Sequence, residues 1–248
     1  MRIARVSVDD KPLYGLVEDG AKRLIGLNGD PLFQQVQPSG HIVDLDEVRV
    51  LSPVIPRSKA VVVEAHTLAG DIADLEVTIV PNTAIVAAGD PVSRPEWASR
   101  LTIRPALAVV AKTLVRHVDE AAAGELVLGT CLASLYGVDG AAAALSHAWD
   151  ASCPLGPWIE VADGHNPFED GASLEIGEEV VEIEPMQVSA AQALSVVSQV
   201  STLLPGDLVI VPAGQARLVA DGDVVEFAHG RLGTISTRMM PPDSTLRS

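Results

Sequence analysis

Basic side chains are scarce in this sequence: 17 lysines and arginines stand against 33 aspartates and glutamates, for a formal net charge of −16. Such a surface repels phosphate backbones and anionic lipid, so neither nucleic acid nor membrane is expected as a partner. Cysteine is nearly absent. Cys131 and Cys153 make no disulfide framework, and their apolar and Pro-Gly surroundings read as free thiols in a reducing compartment. No apolar run reaches bilayer length, residues 106–111 being among the longest. The opening stretch, Met1-Arg2-Ile3-Ala4-Arg5-Val6, lacks an apolar signal core and reads as a strand, so a cytoplasmic protein is expected. Several signatures are missing too: Gly-x-Gly-x-x-Gly, the P-loop, Gly-x-Ser-x-Gly and any paired-histidine metal motif. What remains is a chain of 248 residues, 48% hydrophobic, able to bury one large core or a small and a larger one.

Turn signals cut the first fifty residues into short strands. Residues 2–8 and 13–18 flank Asp9-Asp10-Lys11, Asp19-Gly20 closes the second run, and residues 23–27 precede the turn Asn28-Gly29-Asp30-Pro31. This predicts a small β-rich N-terminal domain over residues 1–51. Ser52-Pro53-Val54-Ile55-Pro56 supplies a stiff connector, placed at 52–55, because each proline fixes its own φ and turns its predecessor away from helix. Residues 56–248 then form the larger unit. Strand candidates lie at 59–64, 84–88, 103–112, 126–132, 207–211, 222–227 and 233–237, with a pair over 174–184 around Gly177. Helices are few. Asp119 can cap one over 120–125, residues 140–149 carry four alanines, and the clearest runs over about 190–203. Ser189 with Gln192 makes its capping box, and Leu194, Val197 and Val200 mark its apolar stripe. Residues 241–248 are expected to fray.

Two rigid frames stand out, Cys153-Pro154-Leu155-Gly156-Pro157-Trp158 and Leu204-Pro205-Gly206-Asp207, both read as turns on which an active-site loop could hang. They belong to an ordered series. Pro53, Pro56 and Lys59 come first, then Pro81, Gly89-Asp90-Pro91-Val92 and Leu107-Ala108-Val109-Val110; Gly177-Glu178 lies between the frames, and Pro212-Ala213-Gly214 and Gly222-Asp223-Val224-Val225 follow. This ordered set resembles the fumarylacetoacetate hydrolase family over residues 1–240. The resemblance implies an α+β, β-rich fold: a rolled, mixed β-sheet core with few helices, plus a small β-rich N-terminal domain, assembled as a homodimer. It also implies divalent-metal-assisted cleavage, decarboxylation or isomerisation of small β-diketo or 2-keto/enol acids. In that chemistry Mg²⁺ or Mn²⁺ is held by a Glu-x-Glu strand and a later Asp, because a hard cation needs oxygen ligands to polarise the substrate carbonyls.

Carried over residue by residue, those ligands are missing. The strand resembling Glu-x-Glu reads Arg104-Pro105-Ala106, and the metal-binding Asp aligns with Ser134. The lysine positions hold Val80 and His147, although Asp150 is retained, and the Gly-Thr-Pro turn reads Ile210-Val211-Pro212. The stretch 64–76 resembles the family's lid, without a clean His…Glu pair. No metal cofactor is therefore expected.

The remaining pocket candidates are Arg104, Ser134, His147, Asp150 and His66. Arg104 replaces the metal's charge and grips a small carboxylate, or it pairs with one of the many acidic side chains. His147 and Asp150 have the i, i+3 spacing of an oriented imidazole, or His147 is a packing residue. His66, near Glu64 and Asp71, is a candidate lid histidine. Cys153 has no activating base or cation nearby, and Trp149 and Trp158 read as packing anchors. Three functional readings stay open. One is a ligand-binding or regulatory protein that has lost the metal-dependent activity. Another is an altered hydrolase or isomerase acting on 2-keto/enol acids without metal, with Arg104 as electrophile and His147 as base. The last is a partner subunit of an intact paralogue.

Overall fold

The computed structural model describes residues 1–242, so the expected fraying of the tail lies outside the described residues from position 243 onward. Alternating apolar residues and tight turns build the first part: β1 (Arg2–Val8), β2 (Lys11–Val17), β3 (Arg23–Leu27), β4 (Pro38–Asp44) and β5 (Arg49–Leu51). β1 and β2 form a hairpin, Val8 pairing with Lys11 across Asp9 and Asp10, both of which take positive φ. β4 and β5 are absent from the sequence-based expectation. β4 is exposed at six of its seven positions and carries no apolar period to read.

The larger part begins with β6 (Ala60–Val63), β7 (Val77–Val80), β8 (Ile85–Ala87) and β9 (Val92–Ser93), and continues through the long β10 (Leu101–Ala111), β11 (Val127–Val138) and β12 (Cys153–Val161). β13 (Ala172–Ile176), β14 (Glu179–Ile183), β15 (Leu208–Pro212), β16 (Arg217–Val219), β17 (Val224–His229) and β18 (Gly233–Met240) follow. All twelve residues of β11 are buried, which explains why its continuous apolar run shows no alternation. The first frame is no turn. Cys153–Val161 is a central strand, flanked by β1 and β11, because most of its residues are buried and it is paired on both sides.

The expected β-rich architecture with few helices is what the structure has. Thirteen strands form one mixed sheet, ordered β4-β3-β2-β1-β12-β11-β10-β15-β6-β7 with β5, β8 and β16 off that path, and five form a second, β14-β13-β17-β18-β9. The N-terminal strands belong to the large sheet: β1 pairs with β12, Arg2 opposite Glu160, and Arg2 Nε donates to Glu160 Oε2 at 3.1 Å. Three α-helices occur among the described residues: α1 (Glu120–Gly124), α2 (Ala143–Ser146) and α3 (Ala190–Val200). Asp119 Oδ1 caps α1 by accepting from the Ala122 amide at 2.8 Å, and Ser189 Oγ caps α3 by accepting from Gln192 at 2.9 Å. The alanine run of 140–149 makes only the single turn of α2, since Gly140 takes positive φ and His147 leaves the helical region.

The faces of β10 separate two cores. Leu101, Ile103, Leu107 and Val109 pack with α3 and the second sheet, whereas Ala106, Ala108 and Val110 pack with Cys131, Ala133 and Leu135 of β11 and with β6 and β15. The second frame contributes the anchor. Asp207 is fully buried, and its carboxylate accepts from Ser58 Oγ (2.5 Å) and from the amides of Ser58 (2.8 Å), Leu204 (2.9 Å) and Lys59 (3.2 Å). Burial opposes its charge, but those hydrogen bonds prevail and hold its pKa below the usual carboxylate value.

Asp207→Ala strands three backbone donors and is expected to cost about 3 kcal/mol in denaturant unfolding. Because the folded pKa is depressed, this contribution is complete above about pH 4 and fades as pH falls through the folded value. Acid unfolding of the wild type should therefore flatten in Asp207→Ala; an unchanged acid limb would contradict this assignment.

Candidate functional site

Two registers bring the candidate residues together. β6 runs parallel to β15, Ala60 beside Leu208 and Val62 beside Ile210, and β15 runs antiparallel to β10, Pro212 beside Ala106. Extended by two residues, these pairings carry Glu64 and Arg104 to the same end of the sheet, next to Gly214. There Arg104 Nη1 donates to Glu64 Oε1 at 2.6 Å and Nε donates to the Gly214 carbonyl at 3.2 Å. The pair is partly open to solvent, Arg104 at 29% and Glu64 at 23% side-chain exposure. Of the two outcomes open to Arg104, the structure has the internal acidic partner.

His147 joins this cluster. It follows α2, and Gly137 makes room for it: a Cβ at that position would lie 2.9 Å from His147 Cε1. Its Nδ1 lies 3.0 Å from the Tyr136 carbonyl. A carbonyl only accepts, so Nδ1 carries the proton and the neutral ring leaves Nε2 with a lone pair. Burial lowers the pKa of His147; the Tyr136 hydrogen bond opposes this, the Arg104 charge adds to it, and Glu64 offsets part. Arg104, Glu64 and a neutral imidazole thus form one charge-coupled group. Gly137 and Glu64 were not foreseen as site residues: Gly137 stands in no motif, and Glu64 only opens the lid-like stretch 64–76.

Ser134 is a correction. It pairs with Pro105, while Leu135 pairs with Arg104, and opposed residues of an antiparallel pair share a face. Ser134 therefore lies on the opposite face from Arg104 and Ala106, in the other core, and its buried Oγ has no hydrogen-bond partner. Asp150 is a second correction. It is exposed, and the Nδ1 of His147 is served by Tyr136, because α2 ends before the i, i+3 geometry could form. His66 lies in a one-turn 3-10 helix, Ala65–Thr67, 70% exposed, with Nε2 3.9 Å from Glu76 Oε1. The 64–76 stretch thus does carry a His–Glu contact, at the surface. Its base is tied down: Glu64 N donates to Glu76 O at 3.2 Å, and Thr67 Oγ1 to Glu64 O at 2.8 Å.

The other side chains are structural. Cys131 and Cys153 are buried with pKa values raised by burial, that of Cys153 pushed up to about 12, so neither is a nucleophile at neutral pH. Trp149 Nε1 donates to Ser146 O at 2.9 Å and Trp158 Nε1 to Arg231 O at 3.1 Å. A separate cleft of about 400 Å³ contains Arg94 and Arg100, each already paired, with Asp221 and Asp139 respectively.

The site residues do not suit a divalent metal ion. A hard cation needs several oxygen ligands. Here Ala106 is a buried methyl group, Leu135 faces Arg104 across the strands, and the carboxylate of Glu64 is engaged by a guanidinium. Among the described residues no group of three or more His, Cys, Asp or Glu side chains is arranged to hold a metal.

Two family models match the chain: the fumarylacetoacetate (FAA) hydrolase C-terminal domain over residues 58–240 and the Rv2993c-like N-terminal domain over residues 1–53. Protein Rv2993c of Mycobacterium tuberculosis is 31% identical over 234 residues, covering 84% of this chain and 83% of that protein. Among solved structures, a 2-hydroxyhepta-2,4-diene-1,7-dioate isomerase from Mycobacterium marinum superposes with a TM-score of 0.84 at 26% identity, covering 97% of this chain and 98% of the other. A 5-carboxymethyl-2-hydroxymuconate delta-isomerase from Mycobacterium smegmatis gives 0.83 at 25% identity, covering 97% and 100%.

The His147 geometry has a direct readout. Its imidazole should titrate below about 6.5 in histidine NMR spectra. A lowered folded pKa means that the unfolded chain binds the proton first. Stability from this group is therefore present above about pH 6.5 and lost as pH falls through the folded value. Gly137→Ala should displace the ring and return its titration toward the ordinary value; a wild-type titration at or above that value would contradict the assignment.

Proposed function

This chain belongs to the fumarylacetoacetate hydrolase family, and from that premise we propose that it has lost the metal-dependent chemistry and binds small carboxylates through Arg104. One observation carries the reading: the strand on which the resemblance implies metal-binding carboxylates instead presents a guanidinium, neutralised by Glu64 at 2.6 Å. A planar fork of N–H donors matches a carboxylate as a hydrated ammonium does not. The names of two structural neighbours point the same way, since a heptadiene-dioate and a carboxymethyl-muconate are both polycarboxylates. In this reading the protein is a ligand-binding or regulatory member of its family.

A second reading is favoured by His147. Its neutral ring, with the Nε2 lone pair available, could accept a proton from an enol or hydroxyl group while Arg104 polarises an adjacent carboxylate or carbonyl. This would be a metal-independent isomerase or hydrolase of 2-keto/enol acids. Assembly as a homodimer, or with an intact paralogue, is part of the same proposal; the apolar side chains Val77 and Ile79 are exposed on the edge strand β7.

Calorimetric titration with Mn²⁺ should find no stoichiometric site of micromolar affinity; a site abolished by mutations around Arg104 would overturn the reading. Pyruvate or oxalate should bind, and Arg104→Ala should weaken binding about ten- to a hundredfold, the effect of losing one charge-assisted contact of about 1.5–3 kcal/mol. Arg104→Lys should restore little. Binding unchanged in Arg104→Ala would remove Arg104 from the site. Light scattering over a range of concentrations should give a dimer mass, and a persistent monomer would remove the homodimer.

A further inference from the structure

We propose that Glu64 is a built-in competitor: its carboxylate occupies the Arg104 edge that a carboxylate ligand needs, so that ligand binding is an exchange of one carboxylate for another. This inference rests on the carboxylate-binding reading above and adds to it a gate that the chain itself carries.

The geometry of the pair argues for exchange rather than a permanent clamp. Arg104 is tethered through Nε to the Gly214 carbonyl at 3.2 Å, so a carboxylate gripping the guanidinium in bidentate fashion would use the Nη1–Nη2 edge. Glu64 takes one donor of that edge, Nη1, through one oxygen, Oε1. The Arg94–Asp221 pair shows what a clamp looks like in the same protein. Two parallel bonds join it, Nε to Oδ1 at 3.0 Å and Nη2 to Oδ2 at 2.7 Å, and Arg94 Nη1 is spent on the Ala98 carbonyl at 2.7 Å. Among the described residues the Glu64 carboxylate has no second hydrogen bond, and both side chains are open enough to solvent for the displaced carboxylate to be rehydrated.

Position supports the same conclusion. Glu64 is the first residue after β6, where the chain leaves the sheet for the 64–76 loop. Its backbone is pinned by the bond to Glu76 O, so the side chain can swing away without moving the loop. Arg104 and His147 both feel the Glu64 charge, while His66 and Glu76, on the adjoining loop, lie 3.9 Å from each other; with the pKa of His147 lowered, releasing Glu64 from Arg104 frees the positive charge of the guanidinium. A tethered carboxylate needs no diffusion to find its partner and outcompetes a free one until the latter is concentrated.

If the pair is closed 90–99% of the time, apparent affinity for a free carboxylate is reduced about ten- to a hundredfold, and Glu64→Gln, nearly isosteric, should recover that factor. The test is calorimetric or NMR titration of oxalate into wild type, Glu64→Gln, Glu64→Ala, Arg104→Ala and the Arg104→Ala/Glu64→Gln double variant, with thermal melts to establish that each is folded. The expected result is tighter binding in both Glu64 variants and loss of the gain in the double variant. Tightening that survives in the double variant would mean that removing a negative charge merely raised the local potential, and would overturn the gate. Oxalate binding that needs Arg104 but is unchanged by Glu64→Gln would overturn the gate while leaving the carboxylate-binding reading intact. Absence of binding in every variant would overturn both.

Discussion

The fully buried carboxylate of Asp207 gathers two distant stretches of chain, residues 58–59 and 204–207, into one hydrogen-bonded knot. The knot sits where β6 and β15 begin, so it sets the parallel register of those two strands. A parallel pair has no hairpin turn to fix its register, and something else must do so. From that register follows the height at which β6 ends, and hence the place of Glu64 beside Gly214 and Arg104. A burial that is costly for a lone charge becomes tolerable because several donors meet it, the amides being ones that a strand start would otherwise leave unpaired.

At the Arg104 site a guanidinium stands on the strand where the family resemblance implies metal-binding carboxylates. A cation held by carboxylates and a guanidinium held by one carboxylate leave similar net charge, but their chemistry differs. A metal ion accepts electron pairs from several oxygens at once, whereas a guanidinium only donates hydrogen bonds, along fixed directions in one plane. Ala106, Ala108 and Ala133 give the sheet a small-residue face where β10 and β11 meet, and Leu135 closes the position across from Arg104.

Much of the fold was legible in the sequence. Hydrophobic runs, proline and glycine turns and the serine and aspartate caps located most strands and the starts of α1 and α3, since each of these signals depends on a few neighbouring residues. The errors have common physical causes. Polar β4 has no apolar period, and the Cys153–Trp158 frame, rich in proline and glycine, looked like a turn although pairing on both sides made it a strand. The alanine run before His147 has helical propensity, but Gly140 at positive φ and the non-helical backbone of His147 confine it to one turn.

The sequence by itself determined that an arginine and an alanine stand on the strand where the resemblance implies carboxylates, and no arrangement of the chain can make carboxylate ligands of their side chains. It also determined the element types, because side-chain period and caps act over a few residues. Only the tertiary structure decided which acid meets Arg104, and that Ser134 turns away from it. Glu64 is 40 residues from Arg104 and Gly214 is 110 residues away, so their meeting depends on strand register, and a shift of one residue would send each side chain to the other face.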